Sequence, residues 1–337
     1  MHALSTRGGQ IAVVTAAVLV VIIGLAAGGA FDGCRGTTTE TGRPSAAVSS
    51  SPYGGVAYAT AKVLARTIGA RPADTWGEIH TREFITGSFQ QYGYFPRTDE
   101  FIAGTGARRV HSANVVALKE GESAKRLVVG AHYDSIDVGE GYLDNATGVG
   151  LLLEVAARIK NVLTPYSIEF VAFGAEEDGS LGAKDYLRRM SDDERRTIMG
   201  MIDLDVVAGG DELSVASRFG GPTWLRDDAL SAADSLGVPL TTSPEGPGRP
   251  AGVTLAPADD EPFAKEDIAT AVFSAVSWAK SRRRHVAETA DGPPIWHTPR
   301  DTVAYVNKKY PGRVKAQLAD LSEVLETLLT SKLKRRP

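Results

Sequence analysis

The chain has 337 residues, 43% of them hydrophobic and 23% charged, enough to bury one large α/β core or two ordinary ones. Its formal net charge of -4 gives no general attraction to nucleic acid, so no nucleic-acid partner is expected. The single cysteine, Cys34, excludes an internal disulfide and a thiolate-rich metal centre, which leaves oxygen and nitrogen donors for any metal.

Residues 1–10 form a short head carrying Arg7, and residues 11–31, IAVVTAAVLVVIIGLAAGGAF, follow without a charge. About 20 apolar residues suffice to span a bilayer, and the run is long for a cleaved signal peptide. Positive charge on the short flank favours keeping that end in the cytoplasm. An uncleaved membrane anchor is expected, with cleavage after Gly28-Gly29-Ala30 or lipidation of Cys34 as alternatives. All three place the bulk of the chain outside the membrane. Residues 32–54 are rich in Thr, Ser, Gly and Pro and read as a disordered linker, and 55–335 as a catalytic domain.

Helices and strands then alternate. Residues 57–69 and 81–93 read as helices closed by Gly69 and Gly93. SANVVAL and RLVVGAHYD are β-branched apolar runs of strand length, VGLLLEVAARIK is an amphipathic helix, and SIEFVAFGAEE is a strand. Helix AKDYLRRM, strand MGMIDLDVVA, helix TWLRDDALSAADSLG and strand TAVFSAV continue the pattern, with Ser191 as an N-cap between them. A last helix begins near Gly312, with Val314, Leu318, Leu321, Val324, Leu325 and Leu328 on one face. Near-continuous apolar strands separated by helices imply a mainly parallel sheet covered on both sides, whose function gathers at the carboxyl ends of the strands.

His132, Glu176, Glu177 and Asp205 all fall at such ends, and Asp144 and His297 lie in loops. Alone, each has a plain explanation: HYD and HTPRDT as polar turns, Glu176-Glu177 as a solvated pair, Asp144 as a helix cap, Asp203 and Asp205 as loop acids. Together they differ, because acids on neighbouring strand ends repel unless a cation neutralises them. Two imidazoles, three carboxylates and a spare carboxylate are what a pair of zinc ions needs to activate water for amide hydrolysis. Asn145-Ala146-Thr147 matches a glycosylation sequon but abuts this cluster, so it is read as structural.

The segments AHYDS, LDNATGVGLLLEVA, FGAEEDGSLGAKDY, IDLDVV and HTPRDT, in this order, resemble the zinc aminopeptidase family, peptidase family 28 of the metallo class, with relatives among glutamate carboxypeptidases and glutaminyl cyclases. The likeness runs over about residues 57–330. It implies a three-layer αβα sandwich around a mainly parallel mixed sheet, of the zinc-exopeptidase (phosphorylase/hydrolase-like) type. It also implies that Asp144 bridges two zinc ions, that His132 and Asp205 complete one, and that Glu177 and His297 complete the other. Cobalt or manganese would suit the same donors. The resemblance prefers Asp205 to Asp203 as the ligand and makes Glu176 the general base and acid. Asp134 and Asp301 are expected to orient His132 and His297 through their free ring nitrogens.

The expected activity is removal of single residues from peptides with a free N-terminus, by a monomer. A carboxypeptidase, dipeptidase or glutaminyl cyclase of the same fold, or a silent binding ectodomain, are the alternatives. Three departures bear on the substrate pocket. Trp296 stands where the family often has a Tyr that steadies the oxyanion. Ala258-Asp259-Asp260-Glu261-Pro262-Phe263 keeps Asp259 and loses a His. The stretch SRRRHVAETADGPPIW is longer and more basic than usual, with Arg282, Arg283 and Arg284 read as a surface loop or as a carboxylate-reading overhang.

Overall fold

The computed structural model describes residues 51–104, 109–218, 220–242, 258–277 and 289–333. The apolar run 11–31, the linker up to residue 50, Cys34 and the three arginines at 282–284 lie outside the described residues. No helix among the described residues is long and apolar enough to cross a membrane.

Helix α1 (Gly55–Val63) continues as a wider turn through Leu64–Ile68, and α2 (Trp76–Gln91) comes next. Strands β1 (Arg97–Ala103), β2 (Val110–Lys119) and β3 (Arg126–His132) precede α3 (Thr147–Ile159) and β4 (Ser167–Phe173). Then come α4 (Leu181–Arg188), the short α5 (Asp192–Arg195), β5 (Ile198–Leu204), β6 (Glu212–Ala216) and α6 (Trp224–Leu236). The two-residue β7 (Leu240–Thr241), α7 (Asp260–Lys265), β8 (Ala269–Val276), α8 (Val303–Lys309) and α9 (Arg313–Thr327) complete the order.

The eight strands form one sheet in the order β1-β2-β4-β3-β5-β8-β6-β7. Its centre is parallel, β4 to β3, β3 to β5 and β5 to β8, while β1 to β2, β2 to β4 and β6 to β8 are antiparallel. One face packs on α1, α2, α3, α6 and α9 through Leu64, Phe89, Leu152, Leu225 and Leu321, and the other on α4 and α7 through Phe173, Tyr186 and Phe263. This is the expected α/β sandwich, with helices on both sides of a mixed sheet. The central strands are apolar throughout because both faces are covered: β4 is buried at every position.

The expected helices and strands are present within a few residues. Helix α2 starts earlier than expected, at Trp76, because the Thr75 side chain caps it by accepting from the Glu78 backbone N–H. Ser191 caps α5 with a reciprocal bond from its N–H to Glu194. Helix α1 is built into the core. Glu154 on α3 accepts from Gly54 N and Ala57 N at 2.8 Å each, and from Arg158 Nε at 2.9 Å. The two helices touch so closely that a Cβ on Gly150 would lie 2.4 Å from the Ala57 carbonyl oxygen. Gly150→Ala is therefore expected to push α1 outward and destabilise by about 1–3 kcal/mol, read as a lower Tm.

In α2, Glu78 turns inward, where it takes bonds from Ser112 Oγ and, at 2.7 Å, from Asp74 N. Burial pushes its carboxyl up to about 7, against the pull of those two bonds. The folded state then holds a proton that the unfolded chain has released, so stability falls as pH rises from about 4.5 to 7. Glu78→Gln removes that loss. Its Tm should exceed the parent's at pH 8, by the equivalent of about 1–3 kcal/mol, and match it at pH 5.

Candidate metal centre

The parallel strands β3, β4 and β5 end side by side, and the site is built at and just beyond those ends. His132 is the last residue of β3, Glu176 and Glu177 come after β4, and Asp205 after β5. Asp144 sits just before α3, and His297 precedes α8. Ala175, Val206 and His297 hold left-handed backbone at φ 55°, 49° and 55°. Such conformations cost a non-glycine residue about 1–2 kcal/mol and persist only where surrounding contacts enforce them.

Asp144 is the hub. Its Oδ1 lies 3.2 Å from His132 Nε2, which is also 3.5 Å from Asp205 Oδ1. Its Oδ2 lies 3.1 Å from His297 Nε2, which is 3.1 Å from Glu177 Oε2. The donors thus form two adjoining triads, His132–Asp144–Asp205 and Asp144–Glu177–His297, joined by one carboxylate. All five residues singled out by sequence come together. Asp203 stays outside both triads: it is fully buried within β5, and its Oδ2 accepts from Asp260 N at 3.2 Å.

The electrostatics call for positive charge. Removal from water pulls the His132 imidazole down, but Asp134, Asp144 and Asp205 outweigh this and hold it well above its usual range. Asp144 and Glu177 push His297 up to about 10. Burial raises Asp144, and the two imidazoles overcome it, leaving a net depression. Glu177 is raised, by burial first, and its Oε1 is buried with no hydrogen-bond partner among the described residues. Each triad offers imidazole nitrogen and carboxylate oxygen donors, the second oxygen of Glu177 has no hydrogen-bond partner among the described residues, and the carboxylates repel unless cations lie between them. The residues present fit a pair of divalent metal ions.

Glu176 stands beside the two triads, half-buried. Loss of water pushes its carboxyl well up, Asp259 and Asp205 add to the rise, and His132 opposes it. Its side chain has a long contact of 3.4 Å from Ser180 Oγ. Asp259 is buried with neither oxygen hydrogen-bonded among the described residues, and burial and the facing Asp203 raise its carboxyl well above the usual range.

One of the two expected contacts differs. The Asp134 carboxylate faces His132 as expected, 3.6 Å from Nδ1, with the Asp134 backbone oxygen nearer at 3.2 Å. Its oxygens also accept from Glu176 N at 3.0 Å and Glu177 N at 3.1 Å, which fixes the loop after β4. Asp301 was expected on His297. Its oxygens accept from Leu143 N at 2.7 Å and Asp144 N at 3.2 Å, so it orients the hub residue through its backbone. A carboxylate between two adjacent N–H groups gains two charge-assisted bonds, which a ring nitrogen does not offer. Trp296, 37% exposed, stacks on the His297 ring with centroids 4.1 Å apart.

Two further residues support the site without having been singled out as candidates for it. Asn145 donates to Leu204 O at 2.8 Å and accepts from Gly148 N and Val206 N, tying the Asp144 loop to the end of β5. It is fully buried, in keeping with a structural role for the sequon. Arg71, also fully buried, donates to the carbonyls of Tyr133 (2.9 Å), Gly69 (2.7 Å), Glu140 (2.9 Å) and Gly141 (2.7 Å). One guanidinium so clamps both loops that lead into the site. Burial pulls it down to about 10, and Asp301, Asp134 and Asp144 pull it back. The only sequence signal was an arginine followed by Pro72, just beyond a helix end.

Comparison with known proteins agrees with this geometry. The model of peptidase family M28 matches residues 114–322. The alkaline phosphatase isozyme conversion protein of Escherichia coli (strain K12) is 31% identical over 319 residues, covering 83% of this chain and 91% of that protein. Aminopeptidase YwaD of Bacillus subtilis (strain 168) is 29% identical over 205 residues, covering 59% of this chain and 41% of YwaD. In fold, the chain is similar to a zinc aminopeptidase from Bacillus subtilis, with TM-score 0.67, 18% identity and coverage of 84% and 97%. It is comparably similar to a glutaminyl cyclase from Porphyromonas gingivalis, with TM-score 0.66, 19% identity and coverage of 84% and 99%.

Proposed function

The chain belongs to peptidase family M28 and is a metallo-exopeptidase, and on that premise we propose that it is a dinuclear zinc aminopeptidase held outside a membrane. The observation that carries the proposal is the Asp144 carboxylate, with one oxygen 3.2 Å from His132 and the other 3.1 Å from His297. His132, Asp205 and Asp144 Oδ1 would hold one ion, and Glu177, His297 and Asp144 Oδ2 the other. When bound, such a pair supplies Lewis acidity that lowers the pKa of water and polarises the scissile carbonyl.

The chain's own groups do the rest. Glu176 takes the proton from the attacking water onto a carboxylate oxygen and delivers it to the leaving amine. Asp134 keeps that carboxylate in place by holding the Glu176 and Glu177 backbone N–H groups. The substrate's ammonium is received by carboxylates beside the metals: Glu176, and Asp259, whose oxygens have no other described hydrogen-bond partner. Trp296 keeps the His297 ring in one orientation by stacking on it. Residues 11–31 would anchor the domain, with the linker as tether.

The test is metal content and hydrolysis together. The purified protein should carry two zinc ions per chain, lose activity on aminoacyl-anilides under chelation and regain it with zinc. Content near one ion, or hydrolysis only of peptides with a blocked amine and free carboxylate, would overturn the reading. The likeness in fold to glutaminyl cyclases favours one rival. Release of ammonia from an N-terminal glutaminyl peptide, without cleavage, would establish that alternative.

A further inference from the structure

Phe95 is 97% exposed and Leu163 is 68% exposed, while the same surface leaves Val162 39% and Leu118 40% exposed. They belong to one rim. Phe95 lies two residues before β1, whose register with β2 pairs Arg97 with Val116, so Leu118 lies at the matching end of its neighbour. Val162 and Leu163 come just after α3, and the next residue, Thr164, accepts a 3.0 Å bond from Lys119 Nζ at the end of β2. Lys160 lies 3.9 Å over the Tyr94 ring and ties the Phe95 turn to the end of α3. Helix α3 starts at the metal centre and ends at this rim, about 20 Å away. Large apolar side chains so exposed and so grouped mark an interaction surface.

Where the chain enters and leaves says what covers it. Arg158, one turn before Val162, donates to the Ser51 carbonyl at 2.8 Å and stacks over the Tyr53 ring, so the described domain begins at this rim. Its Nη1 is 4.0 Å from Glu326 near the end of α9, so the last helix also finishes here. Beyond the two ends the sequence carries the apolar run 11–31 and the cations Lys334, Arg335 and Arg336. On the rim itself Lys125 and Lys160 are offset by Glu120 and Glu122, and the three cations follow in sequence after Leu333, the last described residue.

We propose that this end of the domain docks on the surface of an anionic lipid bilayer through Phe95, Val162 and Leu163, with the metal centre facing away from it. The inference adds a docking face to the proposed anchor and can stand or fall apart from it. Apolar side chains seated at the headgroup boundary together with basic residues are what an interfacial site requires. Attachment alone does not impose docking, because a free linker of about 20 residues has a span of about 25 Å.

The test uses the full chain with Cys34→Ser, its only cysteine, reconstituted in phosphatidylglycerol–phosphatidylcholine vesicles carrying a doxyl-lipid quencher. An environment-sensitive dye is placed at Glu120→Cys on the rim, or at Asp137→Cys beyond β3. Quenching should be about threefold stronger at 120 than at 137, and weaker in pure phosphatidylcholine. The pair Phe95→Asp and Leu163→Asp should reduce the rim signal to the 137 level while anilide hydrolysis is unchanged. Equal quenching at both positions, or no response to the pair, overturns the proposal. A spectral shift at 120 that needs only protein concentration and no vesicles also overturns it, in favour of a second copy. Resistance of the full chain to alkaline carbonate scores the anchor separately. Extraction with rim quenching intact would keep the docking face and discard the anchor.

Discussion

Glu176→Gln should leave metal content and Tm unchanged and lower kcat on aminoacyl-anilides by about 10²- to 10⁴-fold. The amide keeps the size and polarity of the side chain, and the backbone N–H of residue 176 still bonds Asp134 at 3.0 Å. The variant loses a group able to accept a proton. Metal analysis with full kinetics checks it, and a loss below tenfold would assign the base elsewhere. An accompanying loss of metal would make Glu176 a ligand instead.

The largest stability effect is expected at Arg71. Arg71→Met keeps most of the volume but leaves the carbonyls of Tyr133, Gly69, Glu140 and Gly141 without their donors. It also strips a buried cation from the side of Asp301, Asp134 and Asp144. Breaking one half of a buried charge arrangement typically costs about 3–5 kcal/mol. A Tm lower by about 10 °C is expected. Because both clamped loops lead into the site, zinc affinity should fall as well. Arg71→Lys should recover only part of either loss, since an ammonium cannot span four carbonyls in the planar fork. A Tm within about 2 °C of the parent for Arg71→Met would refute the clamp.

The sequence made the centre of the sheet legible because β3, β4 and β5 are apolar runs bounded by turns, and the chemistry sits at their ends. Periodicity likewise exposed α3, α6 and α9. It did not expose β1, whose residues RTDEFIA are largely polar and exposed, as an antiparallel edge strand permits. Nor did it expose β6, five residues long, or α7, six residues with Pro262 inside. The five donors were readable from their motifs, but the contacts that aim them were not. Asp301 reaches Leu143 across 158 residues, and Arg71 reaches Glu140 across 69. A bond of that separation leaves no local pattern, and a carboxylate can serve a ring or a backbone N–H with the same sequence around it. Asp301 therefore stands at the right place with a different partner, and Asp134 serves the His132 ring and two backbone N–H groups together.

The bonds of Arg158 to Ser51 and toward Glu326 give the domain a nearly circular path. A domain whose two ends meet at one side chain can be rejoined there and opened elsewhere without changing its packing. The turn at Gly220, where an added Cβ would meet nothing within 4 Å, is a place for such an opening. The fold is then a property of the cyclic order of its elements, and α1 is as much the successor of α9 as the start of the described domain.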